Sequence, residues 1–222
     1  MAGPRVLVFT CSYNRPHMLR SCIMGIQRQT YKNVVHSINM TLDADAKTTY
    51  YGPLFDDLLN ERTILNYSQN AHQHLNHIRA ITNIPDYESY DIFVKVDDDD
   101  VYKAHYLEAI VAAFLSDPTV DITSSIVHHQ LNGHTLIKGI GATLGGNPPG
   151  SSYHMPPTFA FNRRTLAVTL AIKVWERAKV SHDLTWRRAW TAAGLRHVAV
   201  ANEAEIVWHI HGKNISTSFM LL

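Results

Sequence analysis

The first forty residues constrain the fold most. Residues 5–11 (RVLVFTC) form a short apolar run rich in Val and Phe, the composition of a buried strand. Residues 12–16 (SYNRP) break it, with Ser and Asn able to cap and Pro suited to a first helical turn. Met18, Leu19, Cys22, Ile23 and Ile26 then recur at helical spacing, and residues 34–40 (VVHSINM) return to strand character. Strand, helix and strand in this order predict a right-handed βαβ unit and a parallel sheet.

The later pattern extends that sheet. A helix is expected over 71–84, with Leu75, Ile78 and Ile81 on one side, and a strand over 91–96. Tyr106, Leu107, Ile110, Val111 and Phe114 mark another helix, which stops near Pro118. Strands are expected at 120–127, 135–140 and 158–161, helices at 164–177 and 182–193, and two closing strands at 195–201 and 205–210. Residues 139–157 carry repeated Gly and Pro breaks and no apolar period, so they read as a long loop suited to a lid. With no repeat and no linker, the 222 residues are expected to form one α/β domain with a mixed sheet.

Composition excludes several classes. A formal charge of +1 lacks the basic excess of a dedicated nucleic-acid binder. The two cysteines, Cys11 and Cys22, imply no disulfide framework and fit a reducing compartment. The apolar run at 6–9 is too short for a signal peptide core or a membrane span. Without a secretion signal, the acceptor patterns for glycosylation at Asn39, Asn66 and Asn214 are read as chance. The expected location is cytoplasmic, including the periphery of a membrane, with no transmembrane segment.

Residues 94–102 (VKVDDDDVY) put four aspartates directly after a strand. Like charges this crowded raise one another's pKa, so the cluster needs a reason to persist. In open α/β sheets, ligands bind outside the carboxyl ends of strands. A divalent cation there would neutralise the carboxylates, and Mg²⁺ or Mn²⁺ suits hard oxygen ligands shared with substrate phosphates. The plain alternative is an acidic turn capping the next helix, where the helix dipole favours anions.

Five segments, in order, carry a family resemblance. CSYNRP, IQRQTYKN, VKVDDDDVY, FAFNRR and SHDLTWRRAWTAAG together resemble family 2-like glycosyltransferases of the GT-A fold. The resemblance implies one GT-A domain over 1–222, with a Rossmann-like βαβ nucleotide-sugar half over 1–100 and an acceptor half over 101–222. It implies a central mixed, mainly parallel sheet flanked by helices. It further implies transfer of a sugar from a nucleotide diphosphate donor, UDP-linked by default, to a hydroxyl of a glycan or similar acceptor. Inversion is expected, with Mn²⁺ or Mg²⁺ as cofactor.

The site residues follow from the same resemblance. Asp97 would lie towards the ribose and a metal-bound water, and Asp99 would ligate the metal. Asp98 and Asp100 take those places if the register shifts by one, and Asp98 is counted with the nucleotide-sugar residues. Cys11, Tyr13 and Arg15 match positions near the base, against the plain readings of packing for Cys11 and surface loop for the other two. Asp43 is chosen for the base edge. Asn70 and Asn76 match an asparagine-bearing helix, or simply cap and coat it. Lys95 either faces a polar side of its strand or is a solvated edge lysine. Asp183 matches the catalytic base; a helix N-cap is the alternative. His182 stands where the family has a glutamate. Phe161, Trp186 and His154, with Tyr153 beside it, are assigned to the acceptor side, although Trp186 also suits a core. His211, on the same strand face as His209, is the histidine candidate for the metal. Lys213, Asn214 and Ser216 could reach a diphosphate oxygen.

Three other functions stay open. A sugar-nucleotidyltransferase also needs acid-bound metal, but CSYNRP has no glycine and one arginine where a Gly-rich basic loop is wanted. A retaining transferase shares the aspartate motif. A metal-dependent sugar-binding module would need no base at Asp183.

Overall fold

The computed structural model describes residues 3–42, 52–69, 72–125, 127–132, 135–140, 158–173, 182–200 and 206–210. The opening unit forms as expected. Strand β1 (Val6–Tyr13), helix α1 (Pro16–Gln27) and strand β2 (Val34–Leu42) follow in order, and β1 and β2 run parallel with Val6 opposite Val34. Pro16 opens α1, where its missing N–H costs nothing, and Leu19, Cys22, Ile23 and Ile26 turn inward. Strand β3 (Thr63–Gln69) adds to β2 in parallel. Its sequence, TILNYSQ, gives little apolar signal because an edge strand buries only part of itself.

Helix α2 (Gln73–Thr82), strand β4 (Ile92–Lys95), the short strand β5 (Val101–Tyr102) and helix α3 (Tyr106–Ser116) come next. Strands β6 (Ile122–Ser125), β7 (Val127–Asn132), β8 (Thr135–Ile140) and β9 (Ala160–Asn162) lead to helices α4 (Arg163–Leu170) and α5 (His182–Ala192). Strands β10 (His197–Val200) and β11 (Ile206–Ile210) complete the described elements.

Seven strands form one sheet in the order β10-β6-β9-β4-β1-β2-β3. Only β9 runs against its neighbours, β4 and β6. This is the expected mixed, mainly parallel α/β sheet. A second sheet, β5-β11-β7-β8, was not anticipated. The run at 120–127 reads as one strand, but the chain changes sheets between Ser125 and Val127, and an apolar run carries no record of which sheet it pairs with.

Helices cover both faces of the large sheet. On one face, Val6, Val8, Val94 and Val96 pack with Cys22 and Ile26 of α1 and with Tyr106 and Leu107 of α3. On the other, Leu7, Phe9, Phe93 and Phe161 pack with Ile81 of α2 and with Trp186 and Trp190 of α5. The period-2 alternation of β1 thus feeds two separate cores.

Helix α2 corrects the sequence reading. Its buried residues are His74, Asn76, His77, Ala80 and Ile81, while Leu75 is 42% exposed. The helix turns its histidines inward because each ring meets a partner there, Trp186 for His74 and Cys11 for His77. Ser37 of β2 also donates to the Ala80 carbonyl.

Candidate functional site

β1, β2 and β4 are parallel, so their carboxyl ends share one edge of the sheet. The four aspartates leave β4 at that edge. Asp98 and Asp100 are buried, whereas the side chains of Asp97 and Asp99 keep 26% and 12% exposure. Asp97 and Asp99 are therefore the pair on the accessible side.

Lys95 and Arg15, both flagged in the sequence, and Ser12, which was read only as a possible cap, hold the carboxylates of Asp97, Asp98 and Asp99. Lys95 Nζ donates to Asp97 Oδ1 at 2.6 Å, and the Asp97 N–H donates to the Tyr102 hydroxyl at 2.8 Å. Ser12 Oγ donates to Asp98 Oδ2 at 2.6 Å. Arg15 spans two carboxylates, with Nη2 on Asp98 Oδ1 and Nη1 donating to Asp99 Oδ2 at 2.7 Å. Burial pushes Asp98 up to about 7, with Arg15 and the Ser12 hydrogen bond opposing and Asp99 and Asp97 adding to the rise.

Asp183 arrives at the same place from the other half of the chain. It sits in the first turn of α5, inside the helix rather than at its cap, where a carboxylate suits the helix dipole. Lys95 Nζ lies 3.8 Å from Asp183 Oδ1. His182 Nε2 lies 2.8 Å from the same oxygen, without the alignment of a hydrogen bond. Burial opposes the Asp183 charge, but the neighbouring His182 ring and Lys95 ammonium outweigh it and hold the carboxyl well below the usual range. Lys95 itself is 1% exposed, so it is no solvated edge lysine; burial works against its charge, and Asp97 and Asp183 more than restore it.

A histidine cluster closes this edge, and sequence reading missed it. His77 stacks on His182 with centroids 4.8 Å apart, and its Nε2 lies 3.2 Å from Cys11 Sγ. Trp186 Nε1 donates to His74 Nδ1 at 2.6 Å. Burial lowers His74 to about 4 and His77 well below its ordinary value, so both are neutral, and burial pushes the Cys11 thiol up. The signal was present in the sequence: His74 and His77, three residues apart on a helix, must share a face.

Other expectations need correction. Asp98 is 2% exposed, with both oxygens bonded inside the protein, so it offers little to a nucleotide. Phe161 and Trp186 are fully buried in the aromatic core, so neither presents an acceptor surface. Arg15 is no loop ornament, since it holds two aspartates. Tyr13 is 42% exposed at the end of β1, and Cys11 is partly buried beside it. Asn76 is buried on α2 and accepts from Arg79 Nη1 at 3.4 Å. Asp43, Asn70, Tyr153, His154, His211, Lys213, Asn214 and Ser216 lie outside the described residues. Asn39, read in the sequence as a chance glycosylation pattern while Asp43 was chosen for the base edge, lies opposite Cys11 and is fully buried; its Nδ2 donates to Ser68 Oγ at 3.0 Å, and its Oδ1 meets no partner.

The donor set suits a hard cation. Asp97 and Asp99 offer carboxylate oxygens at the ligand-binding edge, and Mg²⁺ is commonly held by one or two carboxylates plus substrate phosphates. Among the described residues no group of three His, Cys, Asp or Glu is placed to hold a metal ion by itself, so Asp97 and Asp99 would share the ion with substrate phosphates or other ligands.

Solved structures share this architecture. Staphylococcus aureus TarS 1-349 in complex with UDP-GlcNAc matches with a TM-score of 0.69 at 14% identity, over 96% of this chain and 61% of that one. The same fragment with UDP matches at 0.66 and 16% identity, over 93% of this chain and 60% of that one. The mannosyltransferase PcManGT from Pyrobaculum calidifontis, in complex with GDP-Man and Mn²⁺, matches at 0.61 and 15% identity, over 97% and 60%. The chain has a GT-A-type fold. It spans about 60% of the length of these structures. The sequence matches no protein-family model and no curated protein. In this GT-A domain the aspartates leave the central strand β4, and Asp183 faces them from α5. No described helix is long and apolar enough to cross a membrane.

Proposed function

We propose that the chain is a metal-dependent glycosyltransferase. It moves a sugar from a nucleotide diphosphate, UDP by first choice, to a hydroxyl of a glycan or similar acceptor, with inversion. One observation carries the reading: Lys95 stands between Asp97 and Asp183, joining the aspartate motif to the candidate base at the ligand-binding edge of the sheet. The GT-A-type fold supports it, as do the printed ligands of its structural neighbours, UDP-GlcNAc in one and GDP-Man with Mn²⁺ in another. On this reading 1–222 is one catalytic domain, with 1–100 receiving the donor and 101–222 the acceptor. The free thiols of Cys11 and Cys22 suit a cytoplasmic site, free or at a membrane surface.

Asp97 and Asp99 would hold Mn²⁺ or Mg²⁺, which when bound offsets the charge gathering on the leaving diphosphate. The chain's own groups do the rest. Asp183 Oδ accepts the hydrogen bond of the acceptor hydroxyl and takes its proton as the oxygen attacks the anomeric carbon and the sugar–phosphate bond breaks. A carboxylate held so strongly ionised is a weak base. It therefore orients the hydroxyl first and receives the proton late, when the attacking oxygen has become acidic. Lys95 fixes Asp183 in place and keeps it charged. Tyr13, exposed at the end of β1, can stack on the base.

The test is turnover of UDP-GlcNAc, UDP-glucose and GDP-mannose with Mn²⁺, by release of nucleotide with and without glycan acceptors. Asp183→Asn should bind donor as the wild type does and lose transfer by about 10²–10⁴-fold, the usual share of a general base. Undiminished transfer in Asp183→Asn would remove the base assignment. Donor binding without turnover in the wild type would favour a sugar-binding module.

A further inference from the structure

Arg15 grips the very aspartates that would hold the metal. Its guanidinium is planar and two-pronged, with one arm on Asp98 and the other 2.7 Å from Asp99 Oδ2. Its side chain is 23% exposed, against 1% for Asp98 and 12% for Asp99. The grip is therefore anchored inside at Asp98 and reaches outward at Asp99. A cation on the Asp99 carboxylate would stand within a few ångströms of the Nη1 arm already on Oδ2, where like charges repel.

We propose that Arg15 is the resident counter-ion of the aspartate motif, displaced from Asp99 when metal and nucleotide diphosphate bind together. This rests on the glycosyltransferase reading and adds a coupling to it. Metal alone would leave the freed arm of Arg15 beside a divalent cation. Diphosphate alone would face the aspartate carboxylates. Bound together, the metal takes Asp99 and the freed arm takes a phosphate oxygen, which a guanidinium matches well. Each ligand removes the penalty the other would face, so each tightens the other by the same factor. Asp98 keeps its hold on Ser12 and on the second arm, which makes the exchange a short swing of one side chain. Arg15 is thus a positioning residue whose partner changes on loading.

The experiment is a titration of free Mn²⁺ by electron paramagnetic resonance, with and without UDP, on wild type, Arg15→Met and Arg20→Met. Arg20 pairs with Asp57 and removes the same net charge away from the motif. In the wild type, UDP should tighten Mn²⁺ binding by roughly tenfold or more, within the usual range of linked sites. In Arg15→Met, Mn²⁺ alone should bind roughly tenfold tighter than in the wild type, and UDP should add little. Should Arg15→Met fail to fold, Arg15→Lys serves, because one ammonium cannot hold both carboxylates; it should show the same change in smaller measure. Mn²⁺ binding by Arg15→Met, or by Arg15→Lys in its place, no tighter than by Arg20→Met overturns the counter-ion role, while UDP-linked Mn²⁺ binding in the wild type leaves the functional reading standing. Mn²⁺ binding in the wild type that UDP leaves unchanged also overturns it. No Mn²⁺ binding in any protein, with UDP or with GDP, overturns both.

Discussion

The buried ammonium of Lys95 lies 3.8 Å from Asp183, and it is the same ammonium that hydrogen-bonds Asp97 at 2.6 Å. Strand β4 and helix α5 are thereby tied by charge at the site, not only by packing beneath it. Removing the cation leaves two carboxylates facing each other across a poorly solvated gap. Lys95→Met, which keeps the length and loses the charge, should therefore cost about 3 kcal/mol of stability, the lower end for breaking a buried pair, because Asp97 keeps some water. Urea unfolding at pH 7 measures it. An unchanged midpoint would mean that the three groups do not share this geometry.

Trp186 separates a core residue from an acceptor platform. Its indole is fully buried, edge-on to His182, and donates to His74. Trp186→Phe keeps an aromatic ring but removes that donor and leaves a gap. The expected loss is about 2 kcal/mol. The KM for acceptor should stay near the wild-type value. A large rise in acceptor KM with little change in stability would restore the acceptor role that its burial argues against.

The orientation of α2 gives a third test. Leu75 is 42% exposed and Ile81 fully buried, although both belong to the same apolar stripe in the sequence. Leu75→Ala should change stability by less than about 0.5 kcal/mol, whereas Ile81→Ala should cost about 2–4 kcal/mol. Equal losses would return the helix to its sequence-predicted orientation.

Legibility in the sequence followed burial type. Apolar strands buried on both faces, such as β1 and β4, announce themselves by composition. β3 did not, because half of an edge strand is polar. The break between β6 and β7 was hidden because pairing partners are set by tertiary contacts, not by local pattern. At the site, the charged residues were readable. Asp97, Lys95 and Asp183 were each singled out, and their meeting supplies what the sequence lacked, the shared cation. The histidines were passed over although their spacing puts them on one face, because an apolar-period rule counts His as polar and so turned α2 the wrong way. Phe161 and Trp186 were assigned by motif to a surface, while the aromatic cluster that encloses them was invisible to sequence.

The buried histidines also set a limit on acid stability. His36 is fully enclosed, with Nε2 2.9 Å from Thr10 Oγ1, and burial lowers it to about 3; His74 falls to about 4 and His77 well below its ordinary value. An unfolded chain protonates its histidines near pH 6.5, while the folded chain holds these three neutral well below that. Between about pH 6.5 and pH 4 the unfolded state therefore binds more protons, so stability rises with pH and is lost as pH falls. Each histidine adds a slope of up to about 1.4 kcal/mol per pH unit. Asp98, raised to about 7, works the other way, since the folded chain holds its proton where the unfolded chain has released it. One carboxyl against three histidines leaves the net slope positive. Thermal unfolding from pH 7.5 to 5 should show the midpoint falling steeply below pH 6. His36→Gln, which can keep the bond to Thr10, should flatten the net fall by about half, because it removes one of the two protons that Asp98 leaves uncancelled. A midpoint that holds level down to pH 5 would mean these rings are already charged or solvated in the folded chain.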